Sequence, residues 1–504
     1  MSPMLFTIYL LPLTTLLKKS GLGFTIHNVT ISHLLYMEDL KLCAKSNKDM
    51  LALTKIVKTF SKDICMQFGL DKCATVTINR GQVVRGDGLK LPPDEVVNPL
   101  PLEENYKYLS ILEHGSINNI DVKKEATMEY KKRLCQFLKS KLSGSNLLQA
   151  INIYAIPVMS YTADTVDWTL DEMRQLDRMT RKQLTIHGAF HPKADMQYIP
   201  RRKGGRGLKS IEDFMFKEWC ALSEYLKHST TPALKLLSKK GIRKNQTDRE
   251  DHLMKWEAKA LHEKWAKLLK IVDVDWLRTA HLKPPTEVLI IAAQDQALHT
   301  NWLGHYVLKT GETTDKYRRC KRYADTVMHI VSGCPMLAQG VCCERHNQVA
   351  SALHWDLISV ASTNCPEDWW ENKPEPITEN ERVRILWDFT LRLDRLVEAR
   401  KPDIVFMDKT NRKAKIIDIA CPIDYNIREI EQEKIVKYQD LEIEKLWKVR
   451  VEVIPVVIGA LGVVKNKHED YVKKIDESIL LEDLQKAALL GTARIVRNVL
   501  QLPN

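Results

Sequence analysis

Apolar and polar residues recur with two different periods along the chain, and the changes of period divide it into segments. Residues 1–116 switch between the helical period of about 3.6 and the strand period of about 2, which predicts a mixed α/β segment. The elements predicted in this segment are a helix at about 4–19, a hairpin-like stretch from Phe24 to Ala44, a helix near Lys48–Gln67 and short strands around Thr75–Asn79 and Tyr106–Leu112.

The later segments differ in composition as well as in period. Residues 117–310 are mainly helical, 311–365 carry clustered Cys and His, and Pro366–Asn380 is Pro- and Glu-rich and is predicted to be a linker. Residues 381–470 indicate helix, strand, strand, helix and strand, and 471–504 indicate a closing helix. The predicted fold class is therefore α+β with several domains.

Composition narrows the class of protein. The chain has 504 residues, of which 44% are hydrophobic and 28% charged; this excludes a wholly disordered chain, a continuous coiled coil and a collagen-like fibre. No stretch of about 20 apolar residues lacks a charge, so we expect no membrane-spanning segment. The net charge of +12 favours an acidic partner, of which nucleic acid is the commonest.

Cysteine usage and the first residues bear on localisation. The 11 cysteines are an odd number and are spread from Cys43 to Cys421, which favours free thiols in a reducing compartment, either the nucleus or the cytoplasm. Met4–Leu17 is apolar like the core of a signal peptide. However, the basic pair Lys18-Lys19 follows this stretch instead of preceding it, which is the wrong charge order for a signal. We therefore expect a buried helix there.

Two adjacent carboxylates, Glu38 and Asp39, lie between apolar strand segments in the run from His33 to Leu42. Side by side at a strand turn they repel each other, and a divalent cation between them would offset the repulsion. Two-metal phosphoryl transfer needs such carboxylates to hold Mg²⁺ against the attacking and leaving oxygens. The alternative is a solvated hairpin turn without a ligand.

A second pair of carboxylates is predicted to meet at one end of a hairpin. Residues 403–407 and 415–420 indicate two strands around a polar turn, so Asp403 at the start of one strand lies opposite Asp418 near the end of the other. Paired carboxylates in this position can hold Mg²⁺ or Mn²⁺, polarise a phosphate and lower the pKa of a bound water.

The helix predicted after this hairpin, at about 427–447, carries Lys434 and Tyr438 four residues apart on one face. A lysine there can orient the nucleophile or offset charge in the transition state. Lys437 competes with Lys434 for this role, and Asp424 is a further candidate acid. The alternative for each acid by itself is a residue of a surface turn.

Cys320, His329 and Cys334 supply three of the four ligands that a tetrahedral zinc site needs. His346 could contribute the fourth, although no pattern in the sequence assigns it that role. Because the set is incomplete, Zn²⁺ binding is doubtful, and a metal-free segment that keeps its apolar core is the favoured interpretation.

Two groups of basic residues are candidates for contact with nucleic-acid phosphates. They are Lys131, Lys132 and Arg133 in a helical region, and Arg201, Arg202, Lys203 and Arg206 in a glycine-containing loop. Glycines let backbone amides approach a phosphate, and the basic side chains can bind it without sequence preference. The alternatives are a solvated helix face and a basic loop without a ligand.

Four motifs in order resemble the reverse transcriptases of non-LTR retrotransposons. The matching stretches are Tyr36–Asp39 for the tyrosine-x-Asp-Asp box, Ser2–Phe6, Phe60–Ala74 and Tyr106–Glu113. The resemblance implies a truncated palm over 1–116 and a helical thumb and linker over 117–310. Glu38 replaces the first aspartate of the box, and Ser110 stands where the family usually has glycine.

These departures bear on the polymerase activity that the resemblance implies. A glutamate reaches one methylene further than an aspartate, and a shift of about an ångström in the metal position can cost ~100-fold in rate. The fingers and an early palm strand with another metal-binding Asp would precede residue 1. We therefore expect no polymerase activity from this chain.

Residues 400–438 resemble the restriction-like endonuclease of site-specific non-LTR retrotransposons. The shared pattern is Pro402-Asp403, then Asp418, then a lysine supplied by the following helix. Thr326–Pro335 resembles the gag-like knuckle of these elements. In ungapped register the first cysteine of that knuckle falls on Tyr317, and in the other register Tyr323 fills the gap, so 311–365 is predicted to be a degenerate CCHC-like knuckle.

Together, these resemblances imply a fragment of a retrotransposon reverse transcriptase/endonuclease whose partners are a DNA target and the element RNA. We expect it in the nucleus, nicking target DNA by Mg²⁺-dependent phosphodiester hydrolysis. One alternative is a catalytically dead nucleic-acid-binding remnant, and another is a helical protein-interaction scaffold. The sequence does not indicate an oligomeric state.

Overall fold

The computed structural model has mixed α+β architecture. It describes residues 3–66, 69–92, 95–140, 142–188, 195–201, 205–239, 254–255, 258, 272–273, 281–311, 313–361, 372–390, 401–439, 448–466 and 468–502. The chain forms two compact units, and each is described by itself. The first comprises 1–134, 152–177 and 209–247, and the second 135–151, 178–208 and 248–504.

The described helices differ in length and occur in both units. They are α1 (Pro3–Lys19), α2 (Asn47–Asp63), α3 (Asn119–Leu138), α4 (Gly144–Ala150), α5 (Ile156–Ser160), α6 (Leu170–Gly188), α7 (Asp195–Tyr198), α8 (Ile211–His228), α9 (Pro232–Lys239), α10 (Pro284–Gln294), α11 (Asn301–Leu303), α12 (Pro335–Leu337), α13 (Cys343–Val360), α14 (Ile427–Gln439), α15 (His468–Ile475) and α16 (Leu481–Leu500).

The described strands of the first unit are short and form separate small sheets. They are β1 (Phe24–Ile26), β2 (Val29–Ile31), β3 (His33–Tyr36), β4 (Asp39–Leu42), β5 (Thr77–Asn79), β6 (Gln82–Val84), β7 (Leu89–Leu91), β8 (Glu95–Val97), β9 (Tyr106–Tyr108), β10 (Ile111–His114) and β11 (Ser116–Ile117). Consecutive strands pair as antiparallel hairpins, except that β9, β10 and β11 form one three-stranded sheet.

Helix α2 organises the N-terminal part of the first unit. Ser46 caps the helix by accepting a hydrogen bond from Asp49 N–H at 3.2 Å. Leu53 and Val57 pack against Leu13 and Leu17 of α1, which buries one face of that helix. The rest of α1 remains exposed, including large apolar side chains, so the buried helix expected there is only partly buried. The helices expected at about 4–19 and 48–67 are therefore present, because their apolar faces cover each other.

The second unit contains a larger sheet in the order β13–β14–β15–β16–β17. The strands of this sheet are β13 (Ile377–Glu379), β14 (Val383–Trp387), β15 (Ile404–Asp408), β16 (Lys413–Ala420) and β17 (Arg450–Val457). Two further strands of the second unit, β12 (Val272–Asp273) and β18 (Val464–Lys465), pair with each other. Neighbours in the five-stranded sheet are antiparallel except β16 and β17, which are parallel. Parallel strands need a long crossover, and α14 lies in it.

Helix α13 belongs to the core of this sheet. Its Leu353 and Leu357 are buried together with Ile404 of β15, Ile417 of β16 and Leu484 of α16. The predicted segments 311–365, 381–470 and 471–504 therefore share one hydrophobic core. A sheet cannot bury its own apolar face, so α13 and α16 pack on it as a second layer.

The structure differs from the prediction at the start of the 381–470 segment. The pattern predicts a helix as the first element of 381–470, but Val383–Trp387 is strand β14, paired with β15, and β13 lies within the predicted linker. Residues 391–400, where that helix would continue, lie outside the described residues. The residues Val-Arg-Ile-Leu-Trp favour a strand, and the neighbouring β15 satisfies their backbone groups. The strand–strand–helix–strand order that follows agrees with the prediction. Among the described helices, none is long and apolar enough to cross a membrane.

Candidate functional site

The sheet of the second unit brings Asp403 and Asp418 together. Ile404 pairs with Ile417 in the antiparallel β15–β16 ladder, and one further step in this register sets Asp403 opposite Asp418. Asp403 Oδ2 accepts a hydrogen bond from Ile419 N–H at 2.6 Å, which fixes the carboxylate against β16. The predicted meeting of these two acids is thus present in the structure.

The two acids have opposite pKa shifts. Burial raises the pKa of Asp418, and the charge of Asp403 raises it further against the pull of Lys434. Burial also acts to raise the pKa of Asp403, but hydrogen bonds from His346 and Ile419 N–H outweigh it, so that pKa is lowered. Asp403 is therefore the carboxylate that stays charged most readily.

Helix α14 places three side chains against Asp418. Lys434 Nζ lies 2.8 Å from Asp418 Oδ2, and Lys437 Nζ lies 3.6 Å from the same oxygen. Tyr438 is buried, its hydroxyl donates to Lys401 O at 3.3 Å, and burial followed by the charge of Asp418 raises its pKa. Tyr438 therefore positions Asp418 and the loop before β15, whereas the lysines supply charge.

The donors at this site fit a divalent cation. Asp418 is 2% exposed and Asp403 20% exposed, so two carboxylates meet in a partly buried place where a divalent cation would offset their repulsion further. The carbonyl of Ile419 adds a neutral oxygen next to Asp403. Oxygen donors of this kind are those that Mg²⁺ and Mn²⁺ prefer.

His346 belongs to this site and not to the Cys/His cluster. Its Nε2 lies 3.2 Å from Asp403 Oδ2 and 3.2 Å from the carbonyl oxygen of Ile419. Burial acts to lower the pKa of His346, but the hydrogen bond with Asp403 reverses the direction and raises it. The zinc role considered for His346 is therefore not supported. Sequence spacing could not connect it to Asp403, because the contact depends on how α13 packs on the sheet.

Asp424 lies away from solvent, against a loop. Its Oδ1 accepts a hydrogen bond from Leu461 N–H at 3.0 Å, and a Cβ at Gly459 would overlap the same oxygen. Burial raises the pKa of Asp424 to about 7. Asp424 thus fixes the loop after β17, which differs from the role of a further site acid considered for it.

Cys320, His329 and Cys334 also converge. Cys320 Sγ lies 3.3 Å from His329 Nε2, and one possible ligand atom from each residue lies within 4.8 Å of the others. Burial lowers the pKa of His329, so a neutral imidazole is favoured there. Burial also acts to raise the pKa of Cys320, but backbone N–H groups of Tyr323 and Arg322 outweigh it, and the pKa is lowered. Within the described ranges, this is the one group of three or more Cys, His, Asp or Glu with metal-site spacing.

Two tyrosines surround the imidazole of this cluster. The ring centroid of Tyr317 lies 5.4 Å from that of His329, and the centroid of Tyr323 lies 5.3 Å from it. Tyr317 is 3% exposed and packs with Cys334 and Ile330 in an apolar cluster. The position where the resemblance would place the first cysteine is thus filled by an aromatic side chain of the core.

Glu38 and Asp39 lie at an exposed hairpin in the first unit. Tyr36 pairs with Asp39, so Met37 and Glu38 form a two-residue turn, and Met37 has a left-handed φ of 51°. Tyr108 donates to Asp39 O at 3.5 Å, which places β9 beside this hairpin. Both acidic side chains are exposed.

The candidate basic residues differ in exposure. Lys131 and Lys132 are exposed on α3, whereas Arg133 donates to Glu129 and to Tyr154 O, each at 2.8 Å. Arg202 and Lys203 lie outside the described residues.

The two arginines that the structure describes in the glycine-containing loop, Arg201 and Arg206, are not fully exposed. Arg206 is 2% exposed and pairs with Asp295, which is 0% exposed. Its guanidinium also donates to Gln294 and to Ile291 O. Arg206 is therefore committed to the interior and not available to a phosphate. Burial lowers the pKa of the half-buried Arg201.

No known family model and no curated protein matches the chain. Its function is therefore inferred from the geometry of its own residues, of which the Asp403–Asp418 site is the most completely built.

Proposed function

We propose that the second unit is a metal-dependent DNA endonuclease that nicks one strand by phosphodiester hydrolysis, as the nuclease of non-LTR retrotransposons does. The observation that carries this proposal is the cross-strand pair of Asp403 and Asp418 with Lys434 Nζ at 2.8 Å from Asp418. Two acids at the paired ends of neighbouring strands and a lysine beside them are the groups that metal-assisted hydrolysis of a phosphodiester requires.

The residues of the site divide the work in the proposed reaction. Asp403, Asp418 and the Ile419 carbonyl would hold a divalent cation, which would supply Lewis-acid activation of water and phosphate. Lys434 is placed to offset the charge that develops on the phosphate oxygens. Tyr438 is buried beside Asp418, and its hydroxyl donates to the backbone of Lys401, so its role is to position the site.

Relaxation of a supercoiled plasmid in Mg²⁺ tests the proposal. We expect the full chain to convert supercoiled DNA to the open circle, and the rate to fall by about 100-fold or more in Asp403→Asn. Glu452→Gln, which alters an exposed acid of β17, should leave the rate unchanged. Salt-sensitive DNA binding without nicking in the wild type would instead favour the catalytically dead nucleic-acid-binding remnant.

We propose in addition that the first unit has no polymerase activity by itself. Glu38 and Asp39 are exposed on a two-residue turn, and the residues described in the structure include no third acid grouped with them. Detection of Mg²⁺-dependent cDNA synthesis by the purified chain would contradict this. A DNA target and an RNA of the same element are the partners that this proposal implies, and the nucleus is the compartment.

A further inference from the structure

His346 contacts the acid pair from a helix outside the predicted motif, and the role inferred for it rests on the proposed nuclease function. His346 is the fourth residue of α13 and reaches Asp403, which lies 57 positions later in the chain. It is 28% exposed, so its imidazole lies at the accessible side of the acid pair while Asp418 lies behind it.

The surroundings of the imidazole favour a positive charge at Nε2. On the other side of the ring, Nδ1 lies 3.1 Å from Asn347 Oδ1, and with a proton on Nδ1 this is a hydrogen bond to the amide oxygen. Nε2 then faces two oxygens that can only accept, Asp403 Oδ2 and the carbonyl of Ile419. An unprotonated Nε2 this close to two acceptor oxygens is stable only with a metal ion between them; otherwise Nε2 carries a proton and donates it.

The spacing of these donors fits a metal ion. Adjacent ligand atoms around an octahedral ion with bonds of about 2.1–2.2 Å lie about 3 Å apart. Nε2 lies 3.2 Å from each of the two oxygens, which is close to the separation of adjacent ligand atoms around one ion. A hydrogen bond from the second ring nitrogen is also what holds metal-bound histidines in orientation.

The start of α13 is fixed in the position that this role requires. Arg345 donates to Val331 O at 2.8 Å, to Cys421 O at 2.9 Å and to Thr492 Oγ1 at 3.0 Å. Gly491 leaves room for its side chain, since a Cβ there would lie 2.5 Å from Arg345 Cγ. The histidine next to this arginine therefore cannot move far from Asp403 without breaking buried hydrogen bonds.

We propose that His346 is a metal ligand of the nuclease site, together with Asp403 and the Ile419 carbonyl, and that the site prefers Mn²⁺ to Mg²⁺. An imidazole nitrogen suits first-row transition ions, whereas Mg²⁺ binds oxygen ligands almost exclusively. The charged groups that act on the imidazole are Asp403 and Lys434.

Electron spin resonance of Mn²⁺ added to the full, tag-free chain tests this inference independently of activity. We expect bound Mn²⁺ to show electron spin-echo modulation from a directly bound ¹⁴N. His346→Gln should abolish this modulation and weaken Mn²⁺ binding by about 10-fold or more. Matched controls are His299→Gln at an exposed position and His329→Gln in the Cys/His cluster, which should both keep the modulation.

A second variant keeps the inference testable should His346→Gln fold poorly. His346→Glu supplies an oxygen ligand, so it should bind divalent ions without ¹⁴N modulation and should shift the ratio of nicking rates from Mn²⁺ toward Mg²⁺. Unchanged modulation and an Mn²⁺ affinity within about twofold of wild type in both variants would overturn the inference while wild-type nicking upholds the nuclease. Absence of both Mn²⁺ binding and nicking in the wild type would overturn both proposals.

Discussion

The chain contains two pairs of acids, and the way each is supported differs greatly. Glu38 and Asp39 lie on the turn of a two-stranded hairpin, where water reaches both side chains. Asp403 and Asp418 lie across neighbouring strands of a five-stranded sheet, where a backbone amide, a histidine and two lysines contact them. We therefore expect chemistry from the second pair alone, because a scaffold that restricts carboxylates and shields them from water makes them reactive toward a cation.

The largest expected effect separates the two acid pairs by activity. Asp418→Asn removes the charge of the buried carboxylate that lies across the strand pair from Asp403, so nicking should fall by about 100-fold or more. Asp39→Asn alters a solvated turn and should leave nicking within about twofold. Plasmid relaxation measures both, and equal losses in the two variants would contradict the distinction between the pairs.

The next effect concerns the pH dependence of stability that the buried Asp424 causes. In the unfolded chain, Asp424 ionises near its ordinary pKa of 3.8. In the folded structure, burial raises this pKa to about 7. As pH rises through this window, ionisation of Asp424 progressively lowers the free energy of unfolding, and the loss is constant above the window. Relative to Asp424→Asn, the wild type should lose about 2–4 kcal/mol of unfolding free energy between pH 4 and 8.

Urea denaturation followed by tryptophan fluorescence at several pH values measures this difference, because Trp355 is buried in the core of the same unit. Parallel pH profiles of the wild type and Asp424→Asn would show that the Asp424 carboxyl ionises normally.

Two ion pairs of similar length, one with a buried acid and one with a more exposed acid, should differ by a smaller amount in stability. Lys434 lies 2.8 Å from Asp418, which is 2% exposed, and Lys41 lies 2.7 Å from Glu113, which is 19% exposed. Lys434→Met leaves a buried carboxylate with only Lys437 nearby and should cost about 1–3 kcal/mol of unfolding free energy. Lys41→Met should cost less than about 1 kcal/mol. Equal losses in urea denaturation would mean that burial does not distinguish the pairs.

A backbone substitution in the first unit should have a smaller effect. Ser110 has a left-handed φ of 63° in the turn between β9 and β10, a conformation that glycine adopts without strain. Ser110→Gly should therefore raise the stability of the first unit by about 0.5–1 kcal/mol. Ser116→Gly in strand β11 is the matched control and should not stabilise. Thermal unfolding measures both.

The smallest expected effect concerns zinc. Tyr317 fills the place of a fourth ligand beside Cys320, His329 and Cys334, so we expect well under one equivalent of zinc by elemental analysis. Chelation should then leave the melting temperature unchanged. One equivalent that disappears in Cys320→Ser would show a true zinc centre instead.

The sequence predicted the acid pair of the second unit, because two apolar strands around a polar turn fix which ends meet. It could not predict His346, since the contact with Asp403 depends on α13 packing onto the sheet. Arg206 shows the opposite case. Its loop of glycines and basic residues indicated an exposed anion site, but Asp295, 89 positions away, draws its guanidinium into the interior.

Arg345 has a consequence for how the nuclease can be produced as a fragment. Its guanidinium joins the turn after His329, the end of β16 and helix α16 through buried hydrogen bonds. A fragment cut at the boundaries 381 and 470 would lack both helices, expose the apolar face that contains Ile404 and Ile417, and be prone to aggregation. A fragment expressed to obtain the nuclease should therefore keep both α13 and α16, together with Arg206, the buried partner of Asp295.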